Sequence, residues 1–143
     1  SEMCIRDRDI TAPLYWWKEY DTYKVGTVAN STSTMHKIHS KSFEMSDFST
    51  DHMNEETIEF MGKNIEFLEN LRVKYNDTKD KTLWYSIIQL LPESYNQMRT
   101  CTFSYENAVA MYYSRKNHKL DEWHTFCDWV TELPYFKELF IQE

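Results

Sequence analysis

Two stretches of the sequence carry side chains that could bind a phosphate group. The first, residues 24–36, combines a cation, an amide, hydroxyl groups and an imidazole, supplied by Lys24, Asn30, Ser31, Ser33 and His36. Short polar side chains of this kind, together with backbone N–H groups at the start of a helix, suit contacts to a phosphate or a pyrimidine. A capped, solvent-exposed loop has the same composition, so both interpretations stay open.

The second stretch, residues 99–122, concentrates cationic side chains in an otherwise acidic chain. Arg115 lies near the end of a predicted helix and His118 in the turn beyond it, so both could reach one pocket, with Arg99 as a further cation. Arginine suits phosphate because its guanidinium donates two parallel hydrogen bonds. Alternatively, these cations only complement the helix dipole, which is worth about 0.3–1 kcal/mol each.

Other kinds of chemistry lack the residues that they need. The pair His36 and His39 could share one helical face, but no third ligand has a suitable spacing, so we expect no metal site. Cys127 falls on the apolar stripe of a predicted helix, which indicates a core residue rather than a nucleophile. The sequence also has no G-x-S-x-G segment, the turn that presents the serine of many hydrolases.

The composition indicates a mostly helical domain that does not bind duplex nucleic acid. The 143 residues include 16 Lys and Arg and 23 Asp and Glu, a net charge of −7. A duplex-binding surface needs an excess of cations to displace counterions from phosphates. Only two glycines are present, Gly26 and Gly62, which excludes hairpin-rich β folds, phosphate-binding P-loops and dinucleotide-binding turns.

The sequence predicts a cytoplasmic protein with one domain. No apolar run approaches the roughly 18 residues of a membrane span, and no segment resembles a signal peptide. The three cysteines form no C-x-x-C pair, which indicates reduced thiols. Residues 1–8 look like a non-native, adaptor-derived tail, and residues 9–143 are predicted to form the domain. On that interpretation the natural N-terminus is missing, and the fold lacks its N-terminal strand region.

Periodicity and capping residues predict the elements of the first half of the chain. Residues 9–13 resemble the end of a strand, and aromatic residues at helical spacing predict a helix over residues 14–23, stopped by Gly26. Residues 37–51 look like an irregular connection. Asn54 can cap a long helix through residue 75, whose apolar stripe is suited to packing.

Several helices are predicted in the second half of the chain. A turn over residues 76–80 leads to a buried helix over 82–91, which Pro92 stops. Further helices are predicted over residues 104–115 and 120–131, and Pro134 begins a short last helical turn.

Residues 9–36 resemble the central segment of the flavin-dependent thymidylate synthases. In that family an extended strand leads through a helix into the motif R-H-R-x-x-S-x-N-E-x-S-x-R-Y. Here Asp9-Ile-Thr-Ala-Pro13 and an aromatic helix lead into Tyr23-Lys-Val-Gly-Thr-Val-Ala-Asn-Ser-Thr-Ser-Thr-Met-His36. The segments W-W-x-E-x-D-T-Y and S-T-M-H also resemble short relatives carried by phages of gut Firmicutes.

The resemblance continues to about residue 132. In the family, an arginine 23 residues after a Leu-Pro pair grips the dUMP phosphate, and Arg115 stands 23 residues after Pro92 here. The family's following H-A-Q-x-E run is similar to His118-Lys-Leu-Asp-Glu122. The resemblance implies a predominantly helical α+β fold like that of the thymidylate-synthase-complementing proteins.

The departures from the family motif fall mainly on charged positions. The arginine–histidine–arginine triplet, which contacts flavin and nucleotide, corresponds to Tyr23, Lys24 and Val25, and the motif's glutamate to Ser31. Each lost charged hydrogen bond costs about 1.5–3 kcal/mol, so binding of a flavin pyrophosphate should weaken severely. FAD is therefore disfavoured, and we expect no thymidylate synthesis and no cofactor.

The resemblance and the surviving polar residues together imply a phage-type nucleotide-binding protein, expected in the host cytoplasm. No catalytic residue is assigned. A homo-oligomer is expected, a tetramer by resemblance. The candidate ligand-binding residues are Lys24, Asn30, Ser31, Ser33, His36, Arg99, Arg115, His118 and Glu122.

Two alternatives stay open. One is a divergent thymidylate-synthase-like enzyme that acts on dUMP with a changed use of cofactor. The other is a phage anti-defence protein that binds a host protein or sequesters a nucleotide signal. The acidic side chains spread over residues 47–69 would let such a protein mimic nucleic acid.

Overall fold

The structure, a computed structural model, describes residues 5–29 and 34–141. Helices dominate the described chain, and short 3-10 turns lie at Asp21–Tyr23 and Met45–Asp47. In chain order the elements are β1 (Ile5–Pro13), α1 (Leu14–Tyr20), β2 (Gly26–Ala29), α2 (Thr34–Lys37), α3 (Glu55–Thr78), α4 (Lys81–Leu90), β3 (Asn96–Ser104), α5 (Tyr105–Arg115), α6 (Asp121–Thr131) and α7 (Phe136–Phe140).

A three-stranded sheet accompanies the helices, with the strand order β1-β3-β2. The predicted strand over residues 9–13 is confirmed, and β1 extends it back to Ile5. The predominantly helical α+β class is confirmed as well. None of the described helices is long and apolar enough to cross a membrane.

The chain divides into two compact units. One contains the described residues up to 10, residues 16–28 and residues from 99 onward, and the other contains residues 11–15 and 29–98.

The core of the second unit is built on the long helix α3. Its start is fixed by Asn54, whose side-chain oxygen accepts a hydrogen bond of 2.8 Å from the backbone N–H of Thr57. The residues that α3 buries are spaced three or four apart, as the sequence predicted: Met61, Ile65, Leu68 and Leu71. From α4, Ile87 is buried as well.

An ion pair on α3 holds the irregular connection that precedes it. Glu69 accepts hydrogen bonds from Arg72 Nε at 2.8 Å, from Arg72 Nη2 at 2.7 Å and from the backbone N–H of Phe43 at 3.0 Å. Arg72 Nη1 also donates to the carbonyl of His39 at 3.3 Å. The hydrogen bonds from Arg72 are the main cause that lowers the pKa of Glu69 to about 2.

The core of the first unit is aromatic. Trp16, Trp17 and Tyr20 on α1 are at most 1% exposed, and Trp123 on α6 is fully buried. The ring centroids of Trp16 and Trp123 lie 4.7 Å apart, and those of Trp123 and Phe126 lie 5.5 Å apart. Such a cluster holds α1 against α6 through the large apolar area that it buries and through the preferred geometry of its ring contacts.

Three predictions about the elements are wrong in detail. Residues 96–104 form β3, although no strand was predicted there. The turn predicted over residues 76–80 is shorter, because α3 continues to Thr78. The helix predicted as buried, α4, exposes Tyr85 and Leu90.

Three described residues other than glycine adopt the left-handed region, each next to the end of a helix or turn. Lys24 (φ 54°) ends the 3-10 turn after α1, where the sequence had predicted that Gly26 would stop the helix. Lys79 (φ 58°) ends α3, and Tyr135 (φ 62°) precedes α7. Positive φ is costly for any residue that carries a Cβ atom.

Candidate functional site

The carboxylate of Glu19, on α1, lies at the centre of a cluster of N–H groups. Trp123 Nε1 donates to its Oε1 at 2.9 Å, and Arg115 Nη1 donates to its Oε2 at 3.4 Å. His118 Nε2 lies 3.2 Å from the same Oε2 atom. The side chain of Glu19 is 33% exposed, so the carboxylate reaches the surface of the unit. We call Glu19, Tyr23, Arg115, His118 and Trp123 the Arg115 cluster.

Arg115, at the end of α5, is held in one orientation. Its Nε donates to the hydroxyl of Tyr23 at 2.8 Å, and its guanidinium carbon lies 5.5 Å and 4.9 Å from the ring centroids of Tyr23 and Trp123. The side chain is 18% exposed. Its Nη2 atom has no hydrogen-bond partner among the residues that the structure describes. The guanidinium therefore keeps donor capacity for a further group.

The turn between α5 and α6 fixes which nitrogen of His118 carries the proton. The backbone N–H of His118 closes the turn on the carbonyl of Arg115 at 2.9 Å. The backbone N–H of Leu120 donates to His118 Nδ1 at 3.1 Å, so Nδ1 is an acceptor. In the neutral ring the proton must then lie on Nε2, the atom that is 3.2 Å from the Glu19 carboxylate.

Arg99, on β3, makes a separate ion pair in the same unit. Its two terminal nitrogens donate to the two carboxylate oxygens of Asp21 at 2.7 Å and 3.3 Å. Its guanidinium carbon lies 4.4 Å from the ring centroid of Trp17. Asp21 therefore balances the charge of Arg99.

The other predicted ligand-binding residues are spread along the chain. Lys24 has an exposed side chain, and Glu122 is half-buried on α6. His36 is exposed on α2, in the other compact unit. Asn30, Ser31 and Ser33 lie outside the described residues. The structure therefore brings together Arg115 and His118.

The two buried thiols belong to the core. Burial raises the pKa of the Cys127 thiol to about 11 and also raises the pKa of Cys101. A nucleophilic cysteine needs its pKa lowered, so neither environment favours one. The prediction that Cys127 is a core residue is confirmed, since it is 4% exposed.

Two residues of the Arg115 cluster were not predicted as site residues, although they lie in a segment that the sequence analysis singled out. Glu19 and Tyr23 both lie in the segment W-W-x-E-x-D-T-Y, which follows the buried face of α1. Asp21, the partner of Arg99, lies in the same segment. The polar positions of this segment thus supply partners for both arginines. Trp123 was expected in the core, and its additional role as a donor to Glu19 was not predicted.

Comparison with solved structures finds one recurring fold. No protein-family model matches the sequence, and no curated protein matches it. A flavin-dependent thymidylate synthase, ThyX from Helicobacter pylori, complexed with FAD and dUMP, superimposes with a TM-score of 0.64 over 99% of this chain and 73% of its own, at 17% identity. A second structure of Helicobacter pylori ThyX with FAD and dUMP gives 0.62 over 99% and 75%, at 18% identity. The chain has the fold of ThyX.

The ThyX-like fold confirms the fold that the sequence resemblance implied. At 17% and 18% identity the likeness concerns the backbone, so the roles of individual side chains depend on this chain's own geometry. Within the ThyX-like fold the Arg115 cluster is assembled from α1 and the 3-10 turn after it, the end of α5, the following turn and the first turn of α6.

Proposed function

We propose that this protein binds a nucleotide through Arg115 and does not carry out flavin-dependent thymidylate synthesis. The observation that carries the proposal is the fixed guanidinium of Arg115, whose Nη2 atom keeps a free donor among the described residues. The two ThyX structures of the same fold were both complexed with dUMP, which bears a phosphate monoester.

The geometry of Arg115 suits a phosphate for a physical reason. A flexible arginine loses rotamer freedom when it binds an anion, whereas this guanidinium is already held by the hydroxyl of Tyr23 and lies beside the Trp123 ring. Less ordering cost is left for the binding step. An arginine-phosphate contact is charge-assisted and is worth roughly twice a neutral hydrogen bond.

The residues present do not fit the pyrophosphate of FAD. Where the sequence resemblance places the family's arginine–histidine–arginine triplet, the hydroxyl of Tyr23 is engaged with Arg115 and Val25 has no side-chain donor. Lys24 is the one cation at these three positions. A single exposed ammonium group contributes little to the binding of a pyrophosphate, because solvent screens their attraction. We therefore assign no flavin step to this chain.

The test of the proposal is isothermal titration with a panel of nucleoside monophosphates and the matching nucleosides. We expect binding of a pyrimidine monophosphate and at least tenfold weaker binding by Arg115→Ala, since one charged hydrogen bond is worth about 1.5–3 kcal/mol. Lys119→Ala is the matched control, because it removes the same charge from an exposed side chain in the same turn.

The proposal fails if no nucleotide binds at millimolar concentration, or if Arg115→Ala binds as tightly as the wild type. The alternative of a divergent enzyme acting on dUMP makes a different prediction, since that enzyme would purify yellow with flavin absorbance. A role in phage infection, including the sequestering of a nucleotide signal or the binding of a host protein, stays a prediction.

We also propose that the protein self-associates through one face of α3. Phe60 and Phe67 are seven residues apart, which places them on one side of the helix, and their side chains are 70% and 52% exposed. The residues of this face recur at alternating spacings of four and three: Glu56, Phe60, Lys63, Phe67, Asn70 and Lys74.

The charges at the two ends of this face favour a second copy of the chain, packed antiparallel. Glu56 lies at the N-terminal end of the face and Lys74 at the C-terminal end, and both are exposed. A twofold axis near the middle of α3 would bring Glu56 of each copy close to Lys74 of the other. It would also place each Phe67 over the aliphatic stem of the other copy's Lys63.

We expect Phe67→Glu to shift the protein towards the monomer, because a charge would replace the apolar centre of the contact. Light scattering after size-exclusion chromatography measures the mass. Tyr85→Glu is the control, since Tyr85 on α4 is 53% exposed and lies off the proposed face. A wild-type monomer at high micromolar concentration, or an unchanged oligomer in Phe67→Glu, would contradict this interface.

A further inference from the structure

We propose that the carboxylate of Glu19 occupies the position of the ligand's phosphate, and that a bound nucleotide displaces it. The inference deepens the proposed function and rests on it. It assigns to Glu19 the role of an internal competitor, whose charge sets how tightly an anion can bind to the Arg115 cluster.

Hydrogen-bond donors from several elements converge on the carboxylate of Glu19. Three N–H groups face the two oxygens of Glu19, at distances of 2.9 Å from Trp123 Nε1, 3.2 Å from His118 Nε2 and 3.4 Å from Arg115 Nη1. They come from separate elements, α6, the α5–α6 turn and the end of α5. A guanidinium, an imidazole N–H and an indole N–H together form a receptor for an oxyanion.

Contacts other than those with Glu19 hold the three donor side chains in place. Arg115 is held by the hydroxyl of Tyr23 at 2.8 Å, and His118 by the backbone N–H of Leu120 at 3.1 Å. Trp123 is fully buried among other aromatic rings. The receptor would therefore keep its shape when the carboxylate leaves, and another oxyanion would meet the same donors.

The carboxylate of Glu19 can move out of the cluster, and its negative charge would repel a phosphate bound beside it. Its side chain is 33% exposed, so a rotamer change can move the carboxylate from the centre of the cluster into water. A phosphate monoester next to an ionised carboxylate would suffer like-charge repulsion in a partly desolvated site. Exchange of the carboxylate for the phosphate avoids this repulsion. The affinity of the wild type then reflects how much more favourably the donors interact with the phosphate than with the carboxylate.

The experiment compares the wild type with Glu19→Gln by titration with dUMP and with inorganic phosphate. Glutamine keeps the size of the side chain and removes the competing charge, so we expect dUMP to bind about tenfold more tightly to the variant. We also expect inorganic phosphate to bind measurably to Glu19→Gln. Glu132→Gln is the control, an exposed carboxylate at the end of α6 that removes the same charge.

A second readout follows the indole N–H of Trp123 by nuclear magnetic resonance, because this proton is donated to Glu19. In the wild type its resonance should shift when dUMP is added, and it should be assigned by its loss in Trp123→Phe. In Glu19→Gln without ligand it should differ from the wild type, whereas in Glu132→Gln it should not.

The outcomes separate this inference from the proposed function. If the wild type binds dUMP, Arg115→Ala loses binding, and Glu19→Gln binds no more tightly than the wild type, the inference is wrong and the proposed function stands. If neither the wild type nor Glu19→Gln binds dUMP or phosphate, both are wrong. Tighter binding by Glu132→Gln of the same size would also overturn the inference, because net charge alone would then explain it.

Discussion

Trp123→Ala is expected to lower the free energy of unfolding by about 3–5 kcal/mol, the usual cost of removing a large buried aromatic side chain. Trp123 is fully buried, and its ring lies 4.7 Å from that of Trp16 and 5.5 Å from that of Phe126. The cavity would open beneath Arg115, whose guanidinium carbon lies 4.9 Å from the same ring. The substitution should therefore weaken the fold and the site together.

Urea denaturation followed by circular dichroism measures this effect. Trp129→Ala is the matched control on the same helix, because Trp129 is only half-buried and packs on Phe103 rather than on the Arg115 cluster. Trp123→Phe separates packing from hydrogen bonding, since it keeps an aromatic ring and removes the donor to Glu19. A midpoint of Trp123→Ala equal to that of Trp129→Ala would contradict the central place of Trp123.

Glu69→Gln is expected to lower the free energy of unfolding by about 2 kcal/mol at neutral pH. The substitution removes the negative charge and replaces one acceptor oxygen by an NH2 group, so the two parallel hydrogen bonds from Arg72, at 2.7 Å and 2.8 Å, can no longer both form; a charged hydrogen bond is worth about 1.5–3 kcal/mol. Arg72 is only 14% exposed and would keep an unbalanced charge. The connection that Glu69 holds through the backbone N–H of Phe43 should loosen as well.

The stabilisation by Glu69 should also disappear in acid. Its pKa falls from an ordinary value of 4.5 to about 2 in the folded protein, so the unfolded chain binds the proton first as the pH falls. The contribution is therefore complete above pH 4.5 and is lost as the pH drops towards 2. Denaturation curves of the wild type and of Glu69→Gln should converge over this interval.

Glu66→Gln is the control for this prediction, because Glu66 is an exposed carboxylate on the same helix. It should leave the stability near that of the wild type at every pH. A constant difference between the wild type and Glu69→Gln from pH 7 to pH 2 would show that Glu69 acts by its shape rather than by its charge.

The sequence predicted best those elements that local residues determine. The start and the buried stripe of α3 followed from Asn54 and from apolar residues at helical spacing, and both are confirmed. The N-terminal residue of α5 was within one position of the prediction, since Ser104 caps that helix with its side chain. Caps and amphipathic periodicity act within a few residues, so a single sequence contains them.

β3 was missed because its residues are not typical of a strand. Residues 96–104 mix two amides, a cation and three hydroxyls with no β-branched apolar side chain, and burial within the strand is limited to Cys101 and Phe103. The strand lies between β1 and β2, and pairing on both sides determines its conformation. Strand preference depends on neighbours that are distant in sequence, which composition does not reveal.

The Arg115 cluster was predicted in part for a similar reason. Arg115 and His118 were predicted from their places near the end of a helix and in the turn beyond it. Their acceptors lie about a hundred residues earlier in the chain. Tyr23 and Glu19 are 92 and 96 residues from Arg115 in the sequence. The excess of acidic residues gave no way to choose which carboxylate meets which cation, because that choice follows from the packing of α1 against α6.

Lys79 has a consequence for how many substitutions the protein can tolerate. It adopts φ 58° at the position after α3 where glycine is usual, and a side chain there costs about 1–2 kcal/mol relative to a relaxed backbone. The chain has only two glycines, and neither of them is at this helix end. A change of Lys79 to glycine would relieve the strain and raise the free energy of unfolding. The added stability would offset the destabilisation by new polar side chains that change which ligand is preferred.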